Sequence, residues 1–350
     1  MLATNHLDIY NISKEKLDVF DTNIYPFLCE WTGKADKIST YTSGSTGKPK
    51  EISIYKKHII ASANATIDFF DLKKGNTFLI CLPLSTIGGK MMLIRALISE
   101  GKIILTKPSQ KPDLNISQKI DFCALNPTQI TSYLKDNLDL NNIDKLIIGG
   151  GPVHNSLIQK LKHLKTKCYH TFGMTETISH IAIKKLNKIK IITDFECLNH
   201  VQISTNKNNN LIIKSEKLGI NSITTNDIIE ITGNQSFKWI GRSDNIINSG
   251  GVKISPERIE KELSKTLPSN TFFTSSVLDS KLGEKLILIS NFSNNLPTLK
   301  KAISKIENSI YRPKDIFLID SFVYTFSNKI NRELTRTKAL QNNPIQNNTT

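Results

Sequence analysis

From Ile38 to Leu186, short apolar runs alternate with stretches whose apolar residues recur every three to four positions. Thr77–Leu82, Lys102–Leu105, Phe122–Leu125, Lys145–Ile148 and Cys168–Thr171 read as buried strands. Lys56–Phe70, Gly88–Ser99, Thr128–Leu134 and Asn155–Leu164 read as helices. This alternation predicts an α/β fold with layers packed around largely parallel sheets. Ile38–Tyr41 and Ile52–Tyr55 flank a Gly-rich loop. From Ile191 to Ile240 the pattern changes to short strands broken by Asn, Lys and Gly, which predicts an antiparallel β subdomain.

After the polar, Gly-rich stretch Gly241–Gly251, Ser255 can cap a helix with Pro256 in its first turn. Strands at Phe272–Leu278, Leu286–Ser290 and Ile316–Ile319, with a helix at Leu299–Ile310, then predict a small α+β domain. The division expected is 1–241 for a large domain, 242–254 for a hinge segment, 255–340 for a mobile small domain and 341–350 for a disordered polar tail.

A chain of 350 residues, 39% hydrophobic and 22% charged, suits a globular enzyme of about two domains. No apolar stretch is long enough to span a bilayer, and Asp8, Glu15 and Asp18 interrupt the first twenty residues. The expectation is therefore a cytoplasmic protein with neither transmembrane segment nor signal peptide. The five cysteines, Cys29, Cys81, Cys123, Cys168 and Cys197, are widely spaced and read as reduced core residues. A net charge of +15 invites a nucleic-acid-binding reading. The lysines are scattered, however, and no Arg-rich or aromatic-interleaved basic run appears, so no nucleic acid is expected as a partner. Excess positive charge equally suits polyanionic small molecules.

The densest chemistry lies in Thr42, Ser43, Gly44, Ser45, Thr46, Gly47, Lys48, Pro49 and Lys50. Two glycines allow close backbone approach to an oligophosphate, the hydroxyls add donors, and the lysines add charge. Pro49 blocks the helix that a Walker A loop requires. This run resembles the phosphate loop of the adenylate-forming, AMP-binding superfamily, and other segments resemble that family's motifs in the expected order. Gly149, Gly150, Gly151 and Pro152 resemble its adenine loop, and Thr171, Phe172, Gly173, Met174, Thr175 and Glu176 its aromatic-Gly-x-Thr-Glu motif. Thr225-Asn226-Asp227 stands where relatives read Thr-Gly-Asp. Gly241-Arg242-Ser243-Asp244, followed by Gly250 and Gly251, resembles the interdomain signature, and Ser327-Asn328-Lys329-Ile330 the C-terminal lysine motif.

The resemblance, which covers about Leu28 to Lys338, implies the adenylate-forming fold and an acid–thiol ligase that uses ATP, Mg²⁺ and CoA on a small carboxylic acid. It implies that Phe172 lies near adenine, Thr175 meets phosphate, Glu176 holds Mg²⁺, and Asp227 and Arg242 bind the ribose. Lys329 would serve adenylation, Asp244 would be the hinge, and Gly250 and Gly251 would leave room for the CoA thiol arm.

Two departures stand out. The phosphate loop begins only 42 residues in, so a reduced N-terminal subdomain is expected, and Leu82–Gly89 lacks the usual aromatic-His gate. The string Gly173–Ala182 is similar to the o-succinylbenzoate CoA ligases of menaquinone biosynthesis; a fatty- or aryl-acid CoA ligase, or a non-catalytic basic nucleic-acid-binding protein, stands as the alternative. Lys90, Arg95 and His180 are the candidate acyl-binding residues. Lys90 is favoured because it begins a helix, whereas at least one of Lys90 and Arg95, five residues apart, is expected to be solvated.

Overall fold

The computed structural model describes residues 1–41, 50–114, 118–136, 139–188, 194–268, 270–291, 296–324, 330–342 and 344–346. The chain opens with β1 (Leu2–Asn5), α1 (Lys14–Asp18) and α2 (Ile24–Thr32), followed by the hairpin β2 (Lys37–Tyr41) and β3 (Glu51–Tyr55). The α/β region comprises α3 (Lys56–Phe70), β4 (Thr77–Ile80), α4 (Ile87–Ile98), β5 (Lys102–Leu105), β6 (Ile120–Leu125), α5 (Pro127–Lys135), β7 (Ile143–Ile148), α6 (Asn155–Leu161) and β8 (Lys167–Gly173). It is followed by β9 (His180–Lys185), β10 (Phe195–Cys197), β11 (Gln202–Thr205), β12 (Asn210–Ser215), β13 (Ile220–Gly233) and β14 (Ser236–Arg242).

Local chemistry explains several of these boundaries. On α3 the buried residues Ile59, Ser62, Ala63, Thr66 and Phe70 recur at helical spacing, and Asp71 ends the helix in the left-handed region. The α5 helix starts with Pro127 behind a reciprocal capping box formed by Asn126 and Gln129.

Among the described residues, twelve strands form one sheet in the order β1-β5-β4-β6-β7-β8-β9-β10-β14-β13-β12-β11. Pairing is parallel from β5 through β8 and antiparallel from β8 onward. The antiparallel region expected as a subdomain therefore continues the main sheet. Alternate residues of each buried strand feed opposite cores: Phe78 and Phe122 face α3 and α4, whereas Leu79 and Cys123 lie with residues of α5 and α6.

The N-terminal elements pack onto the first core through Ile9, Leu17, Ile24, Phe27 and Leu28. They also brace the region that follows them. Asp21 accepts a hydrogen bond from the Leu84 amide at 2.7 Å, and Glu30 accepts one from the Ser39 amide at 2.7 Å.

The small domain contains β15 (Ile247–Ser249), β16 (Val252–Ile254), α7 (Pro256–Leu263), β17 (Phe272–Asp279), β18 (Gly283–Ser290), α8 (Leu296–Ser304), β19 (Asp315–Leu318), α9 (Arg332–Ala339) and β20 (Ile345–Gln346). Four local expectations change here and in the cysteines. Ser255 occupies the N-cap of α7, but its hydroxyl donates to Glu257 rather than capping the helix. The expected Leu299–Ile310 helix ends at Ser304, and Asn308 instead caps a separate 3-10 turn at Ser309–Tyr311. Ile345–Gln346, within the stretch expected to be disordered, pairs with β19. Cys29 is exposed, whereas the other four cysteines are buried, and all five are free thiols.

Candidate active site

β7 and β8 run parallel with Ile148 opposite His170, so the Gly-rich loop leaving β7 folds over the end of β8. A Cβ on Gly149 would lie 2.6 Å from Thr171 Oγ1, and this hydroxyl donates to the Ile148 carbonyl at 3.2 Å. His170 Nε2 lies 3.3 Å from the Gly151 carbonyl, which gives the loop a second tether. Gly149, Gly150, Gly151 and Thr171 are thus brought together as expected, with Pro152 exposed beyond them.

Phe172 points to the other side of β8. Its ring meets Phe195 and Phe237, with centroids 5.6 and 5.2 Å away, and it remains half-buried. Gly173 is required where β8 meets the start of β9, because a Cβ there would lie 2.3 Å from the Ser179 carbonyl oxygen.

After Met174 the chain makes a short 3-10 turn, Thr175–Thr177. Thr175 is buried, whereas the exposed Glu176 has no hydrogen bond or ion pair among the described residues. Thr177 is fully buried; its hydroxyl accepts from the Met174 amide at 2.9 Å and lies 2.8 Å from the Ser179 carbonyl. Between them, Ile178 has φ 69° and ψ −48°, and the Ser179 amide donates to the Thr177 carbonyl at 2.7 Å. These values define a strained γ-turn. Among the described residues no cluster of three or more His, Cys, Asp or Glu is placed to hold a metal. A lone unpaired carboxylate still suits Mg²⁺, which takes one or two carboxylates and completes its shell with phosphate oxygens and water.

The expected ribose residues also converge. Asp227 and Arg242 are directly opposite on β13 and β14, and Arg242 Nη1 approaches Asp227 Oδ1 to 3.8 Å. Trp239 Nε1 donates to Asp227 Oδ1 at 2.9 Å, leaving Oδ2 without a partner among the described residues. Arg242 forms a two-point ion pair with Asp244, through Nε at 2.9 Å and Nη2 at 2.6 Å. That hydrogen bond first, and the nearby carboxylates, raise the Arg242 pKa; for Asp244, burial acts upward but Arg242 outweighs it and holds the carboxyl low.

Gly250 and Gly251 connect β15 to β16 with φ of 58° and 80°. Nothing lies within 4 Å of a Cβ on Gly251, and its positive φ in a two-residue hairpin by itself calls for glycine. Lys50 is exposed. Thr42, Ser43, Gly44, Ser45, Thr46 and Gly47 of the phosphate loop, and Lys329, lie outside the described residues.

The acyl-side residues depart most from expectation. Lys90 and Arg95 are both buried, at 8% and 1% exposure, so neither is solvated. Lys90 is the fourth residue of α4, where its amide already donates to the Thr86 carbonyl; its side chain donates to the Ser39 carbonyl and sits 5.5 Å over the Phe27 ring. It fastens α4 to α2 and β2. Arg95 Nη2 donates to Ser179 Oγ at 2.7 Å, its Nε is buried without a partner, and no carboxylate reaches it among the described residues. Burial pushes this guanidinium down to about 9, which leaves it cationic at neutral pH. His180 Nε2 lies 3.1 Å from Thr66 Oγ1, which itself donates to the Ser62 carbonyl; Ser179 Oγ lies 3.5 Å from His180 Nδ1. This network fits a neutral ring carrying its proton on Nε2.

Sequence reasoning missed Ser179, Thr66, Trp239 and Asn226, which position the expected residues. The signal for Arg95 was available: Met91–Ile98 is apolar at every position but this one, so the helix has no solvent face there.

Several proteins are similar to this chain. The AMP-binding enzyme profile matches residues 37–206. The 2-succinylbenzoate–CoA ligase of Staphylococcus epidermidis is 24% identical over 93% of this chain and 74% of its own length. That of Haemophilus influenzae is 23% identical over 86% and 68%. A solved Dyadobacter fermentans acyl-CoA synthetase (AMP-forming)/AMP-acid ligase II-like protein is 30% identical, covers 97% of this chain and 99% of its own, and has a TM-score of 0.65. The O-succinylbenzoate coenzyme A synthetase of Bacillus subtilis, in complex with ATP and magnesium ion, shares the fold at TM-score 0.71 and 19% identity, over 85% of this chain and 69% of its own.

With its Gly-rich loop, Thr-Glu turn and Asp–Arg pair, the chain belongs to the AMP-binding enzyme family. Within that family it is an AMP-forming acyl-CoA ligase. No helix among the described residues is long and apolar enough to cross a membrane.

Burial pushes His170 down to about 4 and His180 well below its ordinary value. An unfolded histidine titrates near 6.5. Between about 6.5 and about 4 the unfolded chain therefore binds protons that the folded protein does not, so stability falls as pH drops through this window. The urea midpoint should fall accordingly, and the His170→Gln variant should show a shallower dependence; equal slopes would mean that His170 is not held neutral.

Proposed function

We propose that this ligase adenylates a carboxylic acid bearing a second carboxylate, with o-succinylbenzoate the acid to test first, and passes the acyl group to coenzyme A for menaquinone biosynthesis. The carrying observation is Arg95, a cation exposed by only 1% whose partner is the hydroxyl of Ser179, three residues beyond Glu176. A buried charge without a counter-charge costs several kcal/mol, on the order of a lost buried ion-pair partner. A substrate carboxylate supplies that counter-charge. The names of the curated relatives and the Gly173–Ala182 string support the same acid. Lys90, favoured on sequence, is already committed to Ser39, and Glu30 lies close enough to act on its charge.

The reaction then follows from charge. The substrate carboxylate attacks the α-phosphorus of ATP, pyrophosphate leaves, and the CoA thiol next attacks the acyl carbonyl with AMP leaving. Asp227 and Arg242 hold the ribose, and the 149–151 loop with Thr171 borders the adenine. Glu176 would hold Mg²⁺, whose charge offsets that of the leaving pyrophosphate. Lys329 brings the attacking carboxylate and the α-phosphate together in the first step only. The small domain turns about Asp244 between the two steps.

Pyrophosphate release measured over a panel of acids tests the reading. Arg95→Met should raise KM for o-succinylbenzoate at least about tenfold while moving KM for ATP less than about twofold. Equal acceptance of o-succinylbenzoate and 4-phenylbutyrate by the wild type would instead indicate a fatty- or aryl-acid ligase. Lys329→Ala should abolish adenylate formation but spare thioester formation from supplied acyl-adenylate. Equal loss in both half-reactions would remove the lysine from this role.

A further inference from the structure

The twelve-stranded sheet and the small-domain sheet have separate hydrophobic cores, and the chain passes between them once, through the 3-10 turn Ser243–Asn245. Two domains joined by a single passage of chain turn about it unless side chains restrain them.

Side chains of the turn itself supply part of that restraint. The Ser243 hydroxyl donates to the Asn226 carbonyl at 3.2 Å and accepts from Asn210 Nδ2 at 2.9 Å. Asp244 receives Arg242 at two points, and Asn226 Nδ2 donates to its Oδ2 at 3.1 Å. On the opposite side, Asn245 Nδ2 donates to Glu257 Oε1 on α7 at 2.6 Å. Residues 243 and 244 are thus fastened to the large domain and residue 245 to the small one. A change of backbone angles at Asp244 must release its carboxylate from both Arg242 and Asn226.

These two partners differ in what else they do. Arg242 also faces Asp227, whereas the exposed Asn226 side chain is directed at Asp244. We propose that Asn226 is a positioning residue for the domain turn: its amide latches Asp244 in the arrangement seen here and sets how readily the ligase passes between its two half-reactions. This rests on the reading that the small domain turns about Asp244.

Trypsin digestion of the full chain, with the Arg242–Ser243 bond followed by mass spectrometry, reads the latch directly. Asn226→Ala should be cut there about five- to tenfold faster, the effect of losing one hydrogen bond to a charged group at a half-exposed site. Asn226→Asp removes the donor and sets a second carboxylate beside Asp244. It should be cut at least as fast at low salt, with the excess over Asn226→Ala shrinking as salt is raised. In both variants the ratio of single-turnover adenylation to thioester formation should shift by a similar factor, with KM for ATP changed less than about twofold.

Wild-type cleavage and an unchanged ratio in both variants would overturn the latch. Asp244→Pro, which fixes φ at the pivot, separates that failure from failure of the underlying reading. It should spare adenylation more than thioester formation. If it does so while the Asn226 variants behave as wild type, the domain turns without this latch. Unchanged half-reactions in Asp244→Pro would overturn the turning domain and the latch together.

Discussion

The approach of Thr171 to Gly149 is the contact on which the placement of the Gly-rich loop depends. It exists because β7 and β8 pair in parallel with Ile148 opposite His170, so β8 runs on to Gly173 past the end of β7 and the loop leaving β7 can lie on it. A side chain at 149 would meet Thr171 Oγ1 at 2.6 Å and force the two apart. One strand further, the pairing reverses to antiparallel, and the close approach at Gly173 lets β9 begin immediately beside the end of β8. The Gly-rich loop and the Thr-Glu turn therefore lie at the edge of the parallel region, where strand ends are uncovered, as ligand sites in open α/β sheets generally do.

The two cations of α4 show how burial sorts identical charges into different work. Lys90 meets a backbone carbonyl, an aromatic face and the influence of Glu30, so its desolvation is offset locally. Among the described residues the polar groups beside Arg95 are a hydroxyl and an imidazole, and burial keeps the imidazole neutral. Its compensation is incomplete within the described protein. Under the proposed function the second carboxylate of the substrate completes it, and the planar set of guanidinium donors suits a carboxylate.

The fold class and the order of its parts were legible because they rest on periodicity and turn residues. Lys56–Phe70 coincides with α3, and the two strand runs expected to flank the Gly-rich loop form β2 and β3, which pair from Lys37–Tyr55 to Tyr41–Glu51. The sequence also singled out Gly149, Thr171, Asp227 and Arg242, and the structure brings them into two groups. Less was legible where the outcome depends on tertiary pairing. Nothing local distinguishes β10–β14 as an extension of the main sheet from a separate layer, because that depends on β9 turning back along β8. The environment of Lys90 and the Asn226–Asp244 contact likewise involve residues 51 and 18 positions apart in sequence.

The γ-turn at Ile178 joins these parts. A β-branched residue at φ 69° is held about 1–3 kcal/mol above its preferred geometry, so its surroundings must over-determine it. They do so through the Thr177 hydroxyl, bonded across the turn, and through burial of the Ile178 side chain at 3% exposure. The strained reversal lets Glu176 face solvent while Ser179, three residues later, faces the buried Arg95. A relaxed, extended residue at 178 would break the Ser179–Thr177 bond and carry Ser179 and His180 away from Arg95 and Thr66. The strain thus keeps the exposed Glu176 carboxylate and the hydrogen-bond partner of the buried Arg95 guanidinium on one short segment.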